Sequence, residues 1–271
     1  MAVAPVKYAI VTGAGSGLGR ALALRLARAG YCQALVDIDE ENAQATRRLV
    51  EQLGGAARVD CFDVADHAAW QATVERLKSE WPRLDLLVNN AGIAVSGEIG
   101  SVPLEAWRRA LDTNLWGAIH GCQTCVPWLK QNPGSHVLNI ASIVGLLPGP
   151  ALGPYGVSKA GVVALSEALR LELARYEVGV TVACPGFFPT RLIETGLFAE
   201  PEQREFAEAI TAAAKITADE VAAAAIKGVR HNRPFVVLPA RARRLWLFKR
   251  WLPETFLRYM ARRFRNGIKA P

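Results

Sequence analysis

The sequence holds no apolar run of the roughly 18 residues that a helix needs to cross a bilayer. Nor does it open with a basic n-region followed by a small-residue cleavage site. The stretch MAVAPVKYAIVTG therefore reads as a first strand, and the chain is expected in the cytoplasm. Five cysteines in 271 residues make no disulfide framework, and no second Cys or His pair lies at zinc-ligand spacing to join the one C-x-x-C, so no metal site is expected. Cys122 and Cys125 do form a C-x-x-C. They sit within LWGAIHGCQTCVPWLK, which reads as a helix interior rather than a turn that stabilises a thiolate. Four histidines, His67, His120, His136 and His231, are scattered without pairing and read as structural or surface residues. There is no internal repeat or low-complexity tract.

Acidic residues are scarce in one place only. Residues 241–271 carry ten Lys or Arg (Arg241, Arg243, Arg244, Lys249, Arg250, Arg258, Arg262, Arg263, Arg265 and Lys269) against the single acid Glu254. The chain's +7 charge thus belongs to its tail, and residues 1–240 hold 22 basic against 24 acidic groups. A nearly neutral body argues against a nucleic-acid partner. At 51% hydrophobic and 21% charged residues, the chain is globular and long enough for a substantial core.

Short aliphatic runs alternate with helical stretches over the first 185 residues, the pattern of a doubly wound parallel sheet in three layers. Strands are expected at Lys7–Thr12, Gln33–Asp37, Ala57–Phe62, Leu84–Asn89, His136–Ala141, Val178–Cys184 and Phe235–Leu238. Helices are expected near 17–29, 39–53, 66–80, 103–131, 154–176 and 217–231. One domain, 1–240, would include a substrate loop at 187–215, and 241–271 would be a basic amphipathic extension. In that tail Leu245, Phe248, Leu252, Phe256, Met260 and Phe264 recur at three- or four-residue spacing, as two short helices meeting near Pro253 would require. Membrane-surface attachment and packing over a pocket or subunit interface both fit such a stripe.

Three clusters carry chemistry. The first strand runs into TGAGSGLGR, where Gly13, Gly17 and Gly19 suit a turn that brings backbone close to a pyrophosphate at a helix N-terminus. Asp37 closes the second strand about 20 residues on. Its carboxylate can accept from ribose hydroxyls and would repel a 2′-phosphate, and no Lys or Arg adjoins it in sequence, which points to NAD rather than NADP. The third cluster is Ser142, Tyr155 and Lys159, with Tyr155 and Lys159 one helical turn apart. An ammonium near the phenol would lower its pKa from about 10. At ~4 Å and an effective dielectric near 20 the interaction is roughly 4 kcal/mol, or about three pKa units at most. That range suits a general acid or base.

These motifs, in this order, resemble the short-chain dehydrogenase/reductase family in its single-domain branch, over residues 7 to about 240. The resemblance implies a Rossmann fold and catalytic roles for Asn114, Ser142, Tyr155 and Lys159. It also implies cofactor contacts at Gly13, Ser16, Gly17, Leu18, Gly19, Asp37, Asp63, Val64, Asn90, Ala91, Gly92, Tyr155, Lys159, Pro185, Gly186 and Thr190. Tyr155 would move the hydroxyl proton, Lys159 lower its pKa and bond the nicotinamide ribose, Ser142 donate to the substrate oxygen, and Asn114 link Lys159 to solvent through water. Homodimers or homotetramers paired through 103–131 and 154–176 are implied as well.

The substrate is read from two apolar segments, 145–154 and 187–202. They offer Leu146, Leu147, Leu152, Phe187, Phe188, Leu192, Ile193, Leu197 and Phe198, with Arg191 and Glu194 as the only charges before Glu200. Such walls suit a lipophilic secondary alcohol or ketone. A 3-oxoacyl carrier-protein reductase, favouring NADPH, and a non-catalytic cofactor-binding scaffold are the competing readings.

Overall fold

The computed structural model describes residues 6–265. Residues 1–5, at the start of the expected first-strand stretch, and Lys269 of the tail's ten cations lie outside it.

Strand–helix alternation fills the first half of the chain. It runs β1 (Lys7–Thr12), α1 (Gly17–Arg28), β2 (Tyr31–Asp37), α2 (Glu40–Gln52), β3 (Ala56–Cys61), α3 (His67–Glu80), β4 (Leu86–Asn89) and the two-residue β5 (Val95–Ser96). Next come α4 (Leu104–Leu111), a π-helical turn at Asp112–Trp116, α5 (Gly117–Leu129), β6 (His136–Ile140), α6 (Ile143–Leu146), α7 (Gly153–Leu173) and β7 (Gly179–Pro185). The chain ends with β8 (Leu197–Phe198), α8 (Pro201–Ala212), α9 (Ala218–Arg230), β9 (Phe235–Leu238), α10 (Ala240–Trp251) and α11 (Pro253–Arg265).

Seven strands form one sheet in the order β3-β2-β1-β4-β6-β7-β9, parallel throughout. Alternate residues of each strand feed opposite helix layers, which is why the strands read as unbroken apolar runs. Ala9, Val11, Leu35, Leu86 and Val88 pack with Leu22 and Leu26 of α1 and Val221 and Ala225 of α9. Ile10, Ala34, Val36 and Leu87 face the other way, against Trp70, Leu77, Cys125, Trp128 and Leu173 of α3, α5 and α7. Polar residues start the helices as their chemistry demands: Asp39 Oδ1 accepts from Asn42 N (3.0 Å), Asp66 Oδ1 from Ala69 N (3.1 Å), and Thr217 with Glu220 closes a capping box.

All seven expected strands are present, their ends moved by at most two residues. The differences lie elsewhere. The expected helix at 103–131 is two α segments joined by the π turn. Residues 187–215, expected only as a loop, carry β8 and α8, and β8 pairs with β5 through Leu197 N to Ala94 O (2.9 Å) and Ala199 N to Ser96 O (2.9 Å). A two-residue ladder has too little sequence to announce itself. In the tail, α11 turns Phe256 and Met260 inward, and on α10 Leu245 and Phe248 of the expected stripe are half-buried while Leu252 is exposed. Trp246 packs on Phe235 (centroids 5.0 Å apart), while Leu247, Trp251 and Leu252 face outward.

Candidate functional site

The carboxyl ends of β1, β2, β4, β6 and β7 open onto one cavity of about 790 Å³, where a doubly wound sheet places its ligand. At one end lies the glycine turn. Gly13 and Gly17 have φ of 61° and 49°, a region that side chains rarely enter. A Cβ would lie 2.8 Å from Ala91 Cα at Gly13, 2.8 Å from Asp37 Oδ2 at Gly15, and 2.9 Å from Thr190 Oγ1 at Gly17. At Gly19 it would strike the Gly13 carbonyl. The absence of these side chains lets the turn pass between β4, Asp37 and Thr190 with bare backbone toward the cavity. Ser16 sits at the N-cap of α1 and makes no side-chain cap bond, so its hydroxyl is available at the positive end of the helix. This donor set fits the phosphates of a dinucleotide.

Asp37 Oδ2 accepts from Gly15 N (2.7 Å) and Oδ1 from Asp39 N (3.0 Å), which fixes the carboxylate at the cavity wall. A cation escaped the reading of this corner. Arg20, four residues from Ser16 on α1, bonds Thr46 Oγ1 (2.9 Å) and the Gly15 carbonyl. Arg20 and Asp37 thus hold the same residue, Gly15, at its carbonyl and its N–H respectively. Asp63 and Val64 line the cavity, and Asp63 Oδ1 accepts from Ala65 N (2.9 Å).

The NNAG turn follows β4. The Asn90 amide donates to the Thr12 (2.9 Å) and Gly13 (3.2 Å) carbonyls, while Thr12 Oγ1 accepts from Asn90 N (2.9 Å) and Ala91 N (3.0 Å). The Asn90 side chain thus braces the first glycine turn. Thr12, which shares that work, was missed because nothing in sequence marks a strand-end threonine. Leu18 and Ala91 border the same cavity. Pro185 ends β7 opposite Leu238, and Gly186 N donates to the Leu238 carbonyl (2.7 Å), so the segment leading to Thr190 is anchored on β9.

The other half of the cavity gathers Ser142, Tyr155 and Lys159. Ser142 caps α6, its Oγ accepting from Val144 N (3.2 Å). Lys159 is buried and donates from Nζ to the Ile140 carbonyl (3.0 Å), with Nζ 6.0 Å from the centre of the Tyr155 ring. Burial brings the lysine down from 10.5 to about 8. The Tyr155 pKa is raised: burial pushes it up, and the facing Ser142 hydroxyl pulls it down by less. The expected lowering by Lys159 is therefore not the net result here, because the ammonium is engaged with a carbonyl and stands over the ring. Cys184, beneath the pair on β7, is also driven up by burial, to about 12.

Asn114 lies in the π turn, a deformation frequent at functional sites. Its Oδ1 accepts from Ile93 N (2.7 Å), and its Nδ2 donates to the Ile93 carbonyl (3.0 Å) and to Ser158 Oγ (3.0 Å). Asn114 Oδ1 and Lys159 Nζ both border Gly92, where a Cβ would lie 2.9 Å from the first and 3.2 Å from the second.

The apolar wall is partly as expected. Leu152, Phe187, Phe188, Leu192, Ile193 and Phe198 line the cavity. Leu146 and Leu147 instead pack with Val182, Val237 and Trp246, and Leu197 packs with Val95 and Val102, since their strand or helix register turns them away. The wall is completed by Phe206 and Ile210 of α8, which were not anticipated, and by Phe264 of α11, in keeping with the reading that packs the tail over a pocket. The charged Arg109 and Asp112 also border the cavity. The C-x-x-C cysteines lie buried in α5, where burial raises Cys122 to about 12 and Cys125 further, as inert core thiols.

The sequence model of the short chain dehydrogenase family matches residues 7–197. The protein named oxidoreductase SadH from Mycobacterium tuberculosis (strain ATCC 25618 / H37Rv) is 32% identical over 259 residues, covering 94% of each chain. The protein named oxidoreductase EphD from Mycobacterium bovis (strain ATCC BAA-935 / AF2122/97) is 34% identical over 261 residues, which are 93% of this chain and 44% of that longer relative. A crystal structure of a short chain dehydrogenase/reductase from Burkholderia phymatum in complex with NAD aligns with a TM-score of 0.87 at 27% identity. The alignment covers 94% of this chain and 96% of that one.

Proposed function

The chain belongs to the short-chain dehydrogenase/reductase family, an oxidoreductase acting on CH–OH groups with a nicotinamide cofactor, and on that premise we propose that it interconverts a lipophilic secondary alcohol and its ketone using NAD. The observation that carries the reading is one cavity with a glycine turn and Asp37 at one end, and Ser142, Tyr155 and Lys159 beneath a phenylalanine-rich wall at the other.

Ser16 and the backbone from Gly13 to Gly19 would hold the cofactor's phosphates, Asp37 its adenosine ribose, and Thr190 with Pro185 and Gly186 its nicotinamide side. Leu18, Asp63, Val64, Asn90, Ala91 and Gly92 would border it. The chemistry such a cofactor would supply there is a hydride acceptor for the carbon bearing the substrate hydroxyl. The chain's own residues manage the proton. Tyr155 takes it from the substrate hydroxyl at its phenol oxygen, and returns it in the reducing direction. Ser142, already accepting from Val144 N, directs its own proton toward the substrate oxygen as charge develops there. Lys159 holds a positive charge next to the phenol, and Asn114, fixed on Ile93, keeps the lysine's surroundings in place and offers it a route to water. Leu152, Phe188 and Phe198 select an apolar substrate body.

The test is NAD+ reduction by a panel of lipophilic secondary alcohols, repeated with NADP+ and with Tyr155→Phe. Oxidation is expected with NAD+ and to fall at least about 10²-fold in the variant. Because the Tyr155 pKa is raised, the oxidation rate should climb with pH through the alkaline range, and the reducing direction should hold its rate at neutral pH. Equal rates for Tyr155→Phe and the parent, or a preference for NADP+, would refute the respective parts.

A further inference from the structure

We propose that α10 and α11 form a docking surface for an anionic lipid bilayer. Within residues 241–265, nine Lys or Arg face the single acid Glu254. Among the described residues only Arg258 pairs with it, at 3.1 Å. Lys249 is spent on the Leu146 carbonyl (2.5 Å) and Arg263 on the Tyr259 hydroxyl (2.8 Å), which fastens the helices rather than neutralising them. Arg241, Arg243, Arg244 and Arg262 are exposed and have no acidic partner among the described residues.

Apolar side chains stand out among these cations. Trp251 is 79% exposed, Leu252 54%, Leu257 50% and Leu247 37%. On α10, Leu247 lies four residues after Arg243, and Arg250 and Trp251 lie three and four after Leu247, so cations and apolar groups share one outward face. The inner faces are already used: Phe256 is 1% exposed and Phe264 lines the cavity. What remains outward is a positive surface carrying a tryptophan and leucines, the chemistry of a helix lying at the headgroup–acyl boundary. A second copy of this chain fits poorly, because a two-fold contact would press two surfaces of the same strong positive charge together. The rest of the chain, with 22 basic and 24 acidic groups, supplies no comparable attraction.

The experiment is flotation of the full chain with vesicles of phosphatidylcholine, with and without phosphatidylglycerol, over a range of salt, with Trp fluorescence recorded in parallel. The expected result is co-flotation only when phosphatidylglycerol is present, falling steeply with salt. Arg243→Ser/Arg244→Ser/Arg250→Ser should weaken it at least tenfold, and Trp251→Ala several-fold, with loss of a blue shift. Trp251→Phe should restore binding without that shift. All these side chains are outside the cavity lining, so alcohol oxidation should match the parent. The proposal is overturned by equal binding to neutral vesicles, by no binding, or by indifference to the substitutions. Tighter capture on duplex DNA than on anionic vesicles also overturns it, as does a dimer that dissociates in Trp251→Ala. Lipid binding is read without substrate, so its failure leaves the catalytic reading untouched.

Discussion

At the scale of single residues, the site is governed by burial. Lys159 is 3% exposed and lowered from 10.5 to about 8, so the folded state binds its proton more weakly than the unfolded chain does. The penalty is complete below about pH 8 and disappears as pH rises past 10.5, where neither state is charged. Lys159→Met should therefore stabilise the cofactor-free protein near neutral pH while abolishing oxidation. The shift corresponds to about 3 kcal/mol, and the orphaned Ile140 carbonyl returns about 1 kcal/mol or more of it, leaving a rise of a few degrees in melting temperature. Thermal melts between neutral pH and about pH 10 should show the variant's advantage shrinking. Gly92→Ala tests the same corner sterically. Its methyl would meet both Asn114 Oδ1 and Lys159 Nζ, so one must shift, and kcat is expected to fall at least about tenfold with the fold retained by circular dichroism.

At the scale of elements, legibility followed the strength of the local pattern. Strands buried on both faces, such as ALVD and LLVN, read clearly because each residue serves one of two apolar layers. The glycine turn and the Tyr155/Lys159 helix were legible because their chemistry demands fixed spacing. The β5–β8 ladder was not: its four residues carry no period, and its bonds join positions about 100 apart. Arg20 and Thr12 were missed for a similar reason, since their partners are brought near only by packing. The sign of the Tyr155 shift was misjudged because spacing puts Lys159 on the same face but does not reveal that its Nζ donates to the Ile140 carbonyl. The tail shows the limit of periodicity at Leu252, which the spacing puts on the inner stripe and the fold leaves exposed. In α11 the three- and four-residue spacing did mark the inward Phe256, whose ring meets Phe248 at 5.7 Å. Phe256→Ala should cost about 3–5 kcal/mol if α11 unfolds with the rest of the chain. A smaller loss together with a raised KM for apolar alcohols would mean that α11 detaches alone and takes Phe264 from the cavity wall. Chemical denaturation and steady-state kinetics on the one variant distinguish these outcomes.

At the scale of the molecule, surfaces not accounted for by the core remain on α7. Val157, Ala160, Ala164, Ala168 and Leu171 are all exposed and fall on a single face of this helix, Val157 at 52% and Leu171 at 81%. The alanines between them leave room for another helix to approach closely, while the opposite face of α7 carries Lys159 and the core residues Val162 and Leu169. A helix apolar on both sides is stable in water only if both are covered. The face is self-complementary by its own spacing, which suits a two-fold contact between copies of the chain. Ala164→Arg sets two guanidinium groups against each other at the centre of that contact. The expected result in analytical ultracentrifugation is an oligomer for the parent and a halved assembly for the variant, with loss of activity because the helix bearing Tyr155 and Lys159 loses its support. A monomeric parent, or an assembly untouched by Ala164→Arg, would show that this stripe is not the contact.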